Sequence, residues 1–266
     1  MQWNAVLEDK DHNIASGNSA HKWHMRWSRN GFYRELVTII TIFFDTVYGL
    51  QTKWCSLDGT LYKAPLAVEA VGKNPTDRGK NGTKRSLIVD EGGLPLGFFH
   101  EGANIHDSKL LRDTLINIFF PSLDKVEEKH LCLDAAYIGE ECKKIAEEFG
   151  FIVHVQPRGD EKRKIINDPS FKARRWVVER SNEWFKLFRK LHTRYEKTIE
   201  SHDGLTYLAC NIIIMRTIFR SKEEISPWDI KKRGVEKPTK EMYQTIGDSL
   251  KKYAKQISGE YYSNVA

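Results

Sequence analysis

A change of hydrophobic period near Lys53 is what most constrains the fold of this chain. Before it, Phe32, Leu36, Ile39, Ile40 and Phe43 recur at helical spacing, which predicts one helix over residues 32–50. After it, short apolar runs are punctuated by turn residues. Lys53 to Leu57 reads as a strand that ends in the turn signal Asp58-Gly59. Residues 86–89 and 94–100 read as two strands joined by Asp90-Glu91-Gly92-Gly93, a hairpin connection. Beyond them the periods alternate: helix 108–118, strand 130–133, helix 139–149, strand 151–155. Strands separated by helices pair in parallel, because a crossover must return the chain to the same end of the sheet. The expected fold is therefore α/β, a hairpin meander feeding a β-α-β run, so a mixed sheet flanked by helices. Two more helices, 173–191 and 205–220, close the core.

This pattern divides the chain into three regions. Residues 1–50 form a small helical N-terminal region whose cluster His21, Lys22, Trp23, His24, Arg26, Trp27 and Arg29 suits either DNA binding or a helical cap. Residues 51–220 hold the sheet. Residues 221–266 form a linker with Pro227 and Pro238, then a C-terminal helix. Its Tyr243, Ile246, Leu250, Tyr253 and Ile257 make a narrow apolar seam, for self-association or for packing on the chain's own core. Lys and Arg outnumber Asp and Glu by 42 to 36, a net charge of +6, which favours a polyanionic partner: nucleic acid or an anionic membrane surface. The most apolar window, residues 36–50, contains Asp45 and is too short to span a bilayer, so no membrane partner is expected. None of the four cysteines forms a C-x-x-C pair; buried thiols in a reducing cytoplasm are expected, not disulfides or zinc.

Three acids stand out within the sheet region. Asp58 closes the first strand and Asp134 closes strand 130–133. If those strands are neighbours, both carboxylates meet at one edge of the sheet. Taken singly, Asp58 reads as a turn residue and Asp134 as a helix N-cap, and only their combination points to a site. Glu179 follows on a helix where Arg175 and Lys186 share its face, while Val177, Trp184, Phe188 and Leu191 occupy the opposite, buried face. That charged face reads equally as a solvated, salt-bridged surface. Between the first strand and the hairpin lies a long loop made basic by Lys73, Arg78, Lys80, Lys84 and Arg85, suited to tracking phosphates or to plain solvation.

Several blocks together carry a family resemblance. Residues 174–186, with Phe188-Arg-Lys-Leu191 and Arg194-Tyr-Glu-Lys197 after them, closely resemble the third-carboxylate region of bacterial insertion-sequence transposases, whose pattern is Tyr-x2-Arg-x3-Glu-x6-Lys. Arg175, Glu179 and Lys186 match it; the tyrosine position holds Lys172, with Phe171 beside it. Ser56-Leu-Asp58-Gly-Thr60, the basic stretch 74–85, Gly102 to Ser108, and Leu133-Asp134-Ala-Ala-Tyr137 resemble the family's other motifs in order. The resemblance implies an RNase H-like fold and a DDE transposase. Asp58, Asp134 and Glu179 would be its catalytic and metal-binding triad, holding two Mg²⁺ ions, with Mn²⁺ as a substitute. It also implies action on terminal inverted repeats and target DNA, as a homo-oligomer on DNA in the bacterial cytoplasm, nucleoid-associated when bound. Lys73, Arg78, Lys80, Lys84, Arg85, Arg175 and Lys186 would contact DNA. His106 and Asp107 read as a helix-capping pair. A DNA-binding protein of transposase ancestry without turnover and an RNase H-type nuclease are the competing readings.

Overall fold

A computed structural model describes residues 16–121, 123, 128–155 and 176–224, with side chains described up to 219. The segments 1–15, 156–175 and 225–266 lie outside it. So do the expectations that fall there: Lys172, Arg175 and the C-terminal seam.

Helix α1 (Gly17–Arg29) starts where the Ser16 hydroxyl accepts the Ser19 N–H and ends with Arg26 and Arg29 in its last turn, which complements the helix dipole. Gly31, at φ 71°, turns the chain into α2 (Phe32–Tyr48). The most buried stripe of α2 is Tyr33, Val37, Thr41, Phe44 and Val47, about one residue round from the apolar stripe expected. The helix is apolar over most of its circumference, so its contact with the last helix selects the buried face.

The sheet holds β1 (Trp54–Lys63), β2 (Gly72–Lys73), β3 (Asn81–Val89), β4 (Pro95–Gly102), β5 (Lys129–Leu133) and β6 (Phe151–Val155). Across its width the order is β4-β3-β1-β5-β6, with the short β2 pairing the start of β3. The β4-β3-β1 part is antiparallel and the β1-β5-β6 part parallel, as the alternation of periods implied. Two strands are longer than expected. β1 runs on past Asp58 to Lys63, and β3 begins at Asn81, so Lys84 and Arg85 lie inside a strand and not in a loop. The hairpin turn is held by Asp90, whose buried carboxylate accepts the N–H groups of Leu94 (2.8 Å) and Gln51 (3.2 Å).

Helices cover both faces. On one, α3 (Asp107–Ile116) and α4 (Glu140–Glu148) enclose a core with Leu57, Ile88, Leu131 and Leu133. On the other lie α2, α5 (Trp176–Lys186), the short α6 (Arg189–His192) and α7 (Ile199–Glu224), around Leu87, Val89, Val178 and Phe185. The expected helix 173–191 is thus broken after Lys186, and the expected helix 205–220 begins earlier, at Ile199. Helix α7 is fastened to the sheet by buried polar contacts: Tyr62 Oη with His202 Nε2 at 2.8 Å, and His100 Nδ1 with Asp203 Oδ1 at 2.6 Å. Burial holds both imidazoles below their usual range, His202 at about 3, so they serve as neutral hydrogen-bonding groups. All four cysteines are free and buried. No described helix is long and apolar enough to cross a membrane.

Candidate active site

The register of the parallel pair assembles the two aspartates. Trp54, Cys55 and Ser56 of β1 stand beside His130, Leu131 and Cys132 of β5. Two residues further along each chain come Asp58 and Asp134. The sequence offset of 76 residues (134 − 58) is therefore the strand register itself (130 − 54). Neighbouring strands lie about 4.8 Å apart, so the two aspartates fall at the same level of adjacent chain segments. Leu57 points into the α3/α4 core, whereas Leu87, which pairs with Asp58, points into the other; alternation along β1 thus turns Asp58 toward the α5 face.

The expectation that Asp58 ends its strand is corrected: it sits in the middle of β1, paired with Leu87 of β3. Gly59 is not a turn residue either. A Cβ there would lie 2.1 Å from Asp107 Oδ1, so the glycine admits a carboxylate against the backbone. Lys84 Nζ neutralises that carboxylate at 3.1 Å and donates to the Ile105 carbonyl at 2.5 Å. His106 caps α3 by accepting the Ser108 N–H, the role expected of it. Asp134 does end β5, and its Oδ1 accepts the Ala136 N–H at 2.7 Å, capping the 3-10 turn Ala135–Tyr137. That turn buries Tyr137 among the acids. Burial first, then Asp107, Asp58 and Asp134, push its phenol well above the ordinary value. The Tyr137 hydroxyl is thus a neutral group in the α3/α4 core that feels all three acids. The Asp-x-x-Tyr spacing was its sequence signal, but nothing in the sequence indicated Lys84–Asp107.

Glu179 stands in the first turn of α5, exposed to solvent. Helix α5 is tied to the sheet by two side chains: Ser181 Oγ donates to the Gly93 carbonyl at 2.7 Å, and Asn182 Oδ1 accepts from Arg85 at 3.0 Å. Val177 and Leu191 are buried as expected, while Trp184 and Phe188 are half-buried. The register therefore sets Asp58 and Asp134 on neighbouring chain segments, and Glu179 is carried by α5. Among the described residues no three His, Cys, Asp or Glu side chains are close enough to hold an ion. The aspartates still suit a hard divalent cation, because they offer only oxygen donors and Asp134 keeps its second oxygen beyond the cap.

The basic residues separate by environment. Lys73, Arg78 and Lys80 are exposed around a turn in which Asn74 and Lys80 are hydrogen-bonded, with Arg78 at φ 53°. Lys84 and Arg85 are only 6% and 2% exposed, so neither offers its charge to a ligand at the surface. The Arg85 guanidinium donates to Asn182 and lies 4.0 Å from the Phe185 ring centroid; burial lowers its pKa to about 10, which leaves it charged. Lys186 is exposed and paired with Glu183.

A mixed sheet in this order, with Asp58 inside β1, Asp134 just beyond β5 and helices on both faces, is an RNase H-like fold. Residues 51–214 match the family described as "Transposase DDE domain", and the chain belongs to that family. It is 25% identical over 166 residues to a Burkholderia cepacia protein assigned as transposase for insertion sequence element IS402, covering 58% of this chain and 72% of that one. Among solved structures, the catalytic domain of Mos1 mariner transposase aligns at 11% identity over 68% of this chain and 91% of its own, with a TM-score of 0.30. A pre-cleavage Mos1 transpososome aligns at 9% identity over 72% and 63%, also with a TM-score of 0.30.

Proposed function

We propose that the protein cuts DNA at the inverted-repeat ends of a mobile element and joins the released 3′-hydroxyl to target DNA. The observation that carries this reading is the in-register pair of Asp58 and Asp134 in a chain of the transposase DDE family. Water attacks the phosphorus at the element end and the 3′-oxygen leaves as a hydroxyl, with the phosphate retained on the flanking 5′ end. That hydroxyl then attacks a target phosphorus and displaces a second 3′-oxygen, so the joining step exchanges one phosphodiester bond for another. Asp58, Asp134 and Glu179 would hold two Mg²⁺ ions, or Mn²⁺ in their place; when bound, such ions offset the phosphate charge and favour ionised water at neutral pH.

The chain's own residues hold the geometry. Asp58 is fixed by its pairing with Leu87 of β3, and Asp134 by its cap on Ala136. Glu179 is carried on a helix anchored to the sheet through Ser181 and Asn182, and in this reading it supplies the third carboxylate. Lys73, Arg78 and Lys80, with Lys186 from the glutamate helix and also Arg175, would contact phosphates. Lys84 and Arg85 are assigned to positioning instead. Two element ends acted on together call for a homo-oligomer on the DNA, in the cytoplasm and at the nucleoid.

The test is cleavage of a labelled duplex carrying the inverted repeat that flanks the reading frame, with Mg²⁺ or Mn²⁺, beside a binding titration on the same duplex. Asp58→Asn is expected to lower cleavage by about a thousandfold or more and to change affinity only by a small factor. Equal cleavage by wild type and variant would sink the mechanism. Intact binding to a verified element end, with no cleavage by either protein, would favour a DNA-binding protein without turnover.

A further inference from the structure

Where β1 ends at Lys63, the chain enters a loop over residues 64–71 that shows an unusual division. Ala64 and Ala67 are buried, but Leu66 and Val68 are 53% and 68% exposed. Residues 193–197 run alongside. The Arg194 N–H donates to the Lys63 carbonyl (2.8 Å), the Val68 N–H to the Lys197 carbonyl (3.0 Å), and the Ile199 N–H to the Glu69 carboxylate (2.8 Å). The two segments form a ribbon, and Tyr195 stands on it 51% exposed.

This ribbon is held rigidly. Arg194, fully buried, donates from Nε to the Glu196 carbonyl, from Nη1 to Thr83 Oγ1 and the Ala70 carbonyl, and from Nη2 to the Lys197 carbonyl. Thr83 Oγ1 itself donates to the Ala70 carbonyl at 2.8 Å. Ala70 has φ 46°, a left-handed conformation that costs a non-glycine residue roughly 1 kcal/mol or more and persists only where its surroundings over-determine it. A simple connection between strands has no need of such a frame. One that keeps three large apolar side chains in water is suited to a partner that covers them.

The surroundings specify the partner. Lys63, Lys73, Arg78, Lys80 and Lys197 are all exposed. Gly82 pairs with both Lys63 and Gly72, so the basic turn stands directly beside the ribbon. The nearby acids are engaged: Glu69 by the Ile199 N–H, and Asp77 by Lys63 at 3.8 Å. An apolar ridge rimmed by cations matches nucleic acid, whose bases have apolar faces and whose backbone is anionic. β1 also points its C-terminal end toward the ribbon from Asp58. At about 3.4 Å per residue, five residues of strand cover about 17 Å, the rise of about five base pairs.

We infer that this ribbon is a wedge, with Tyr195 stacking on bases, and Leu66 and Val68 lodging between bases, of a duplex distorted near the cut site. The inference rests on the transposase reading above. Aromatic stacking is tolerant of sequence, and apolar wedges unstack and kink duplexes, so the device needs no base-specific contact.

The test compares a 30-base-pair duplex with the same duplex carrying a three-base mismatched bubble labelled with 2-aminopurine. Wild type is expected to bind the bubble about tenfold more tightly and to change the 2-aminopurine fluorescence. Tyr195→Ala, and the pair Leu66→Ser with Val68→Ser, should remove that preference without changing the salt slope or the thermal midpoint. Tyr195→Phe should keep it. Undiminished bubble preference in the first two variants would overturn the wedge while leaving DNA action standing. So would a change of oligomeric state with DNA binding untouched, which would make the ridge a protein interface. Failure of the wild type to bind either duplex would overturn the wedge and the transposase reading together.

Discussion

Lys73, Arg78 and Lys80 on one side, and Lys84 and Arg85 on the other, belong to one basic stretch of sequence and to two physical environments. The first three stand in water around a turn at the rim of the sheet. The other two lie inside β3, where the pleat sends Lys84 to one face, against Asp107, and Arg85 to the other, against Asn182 and Phe185. A run of charge is thus not one functional unit. Exposed cations meet phosphates at little cost in stability. Buried cations contribute only through the partners they satisfy, and they position the elements that carry Asp58 and Glu179.

That contrast can be broken by experiment, beginning where the stability effect should be largest. Arg85→Ala removes the partner of Asn182, vacates the space over Phe185 and loosens α5 from β3. It should cost about 4 kcal/mol in denaturant unfolding; a loss under 1 kcal/mol would mean that Arg85 is not a structural cation. The same rule applied to a buried acid concerns Asp90, whose carboxyl burial raises from 3.8 to about 6, against the hydrogen bonds from Leu94 and Gln51. A raised carboxyl pKa means that the folded state holds its proton longer. Its contribution favours the fold at low pH, declines as pH rises from about 4 to about 6, and is level above that. The span is about 3 kcal/mol. Asp90→Asn should flatten that part of the stability–pH curve, and an unchanged slope would refute the assignment.

Lys84→Met leaves the Asp107 carboxylate without its cation. Asp107 is partly exposed, so the expected cost is about 2 kcal/mol. Adding Asp107→Leu should recover most of it, and failure to recover would show that Lys84 acts elsewhere. The smallest stability effect, within about 0.5 kcal/mol, belongs to the triple change Lys73→Ala, Arg78→Ala, Lys80→Ala. These substitutions should instead reduce the slope of log affinity against log salt by about 0.9 for each phosphate that is no longer neutralised. A preserved slope would return the turn to plain solvation and erase the distinction between the two groups.

Much of the candidate site was legible because its signals are local. Asp134 follows a five-residue buried strand, and the offset of 76 residues equals the register that parallel pairing of β1 with β5 requires. The boundaries of β1 and β3 were less so. Asp58-Gly59 has the composition of a turn, and the basic stretch resembles a loop, because local propensity favours those readings. β1 nevertheless continues through Gly59, since the space a side chain would take is filled by Asp107, a residue nearly fifty positions away. No sequence window contains that contact.

The sequence by itself determined the alternation of periods, and so the mixed sheet, along with the spacing of its acids and the family to which they belong. Periodicity and turn chemistry act over a few residues and need no tertiary partner to be read. Only the tertiary structure decided which charges are buried, that Gly59 gives way to Asp107, and that Asp58 lies inside a strand and not at its end. It also decided that Leu66, Val68 and Tyr195 are held outward. Burial and electrostatic pairing depend on distance in space, and the elements that meet here are separated by tens of residues of chain.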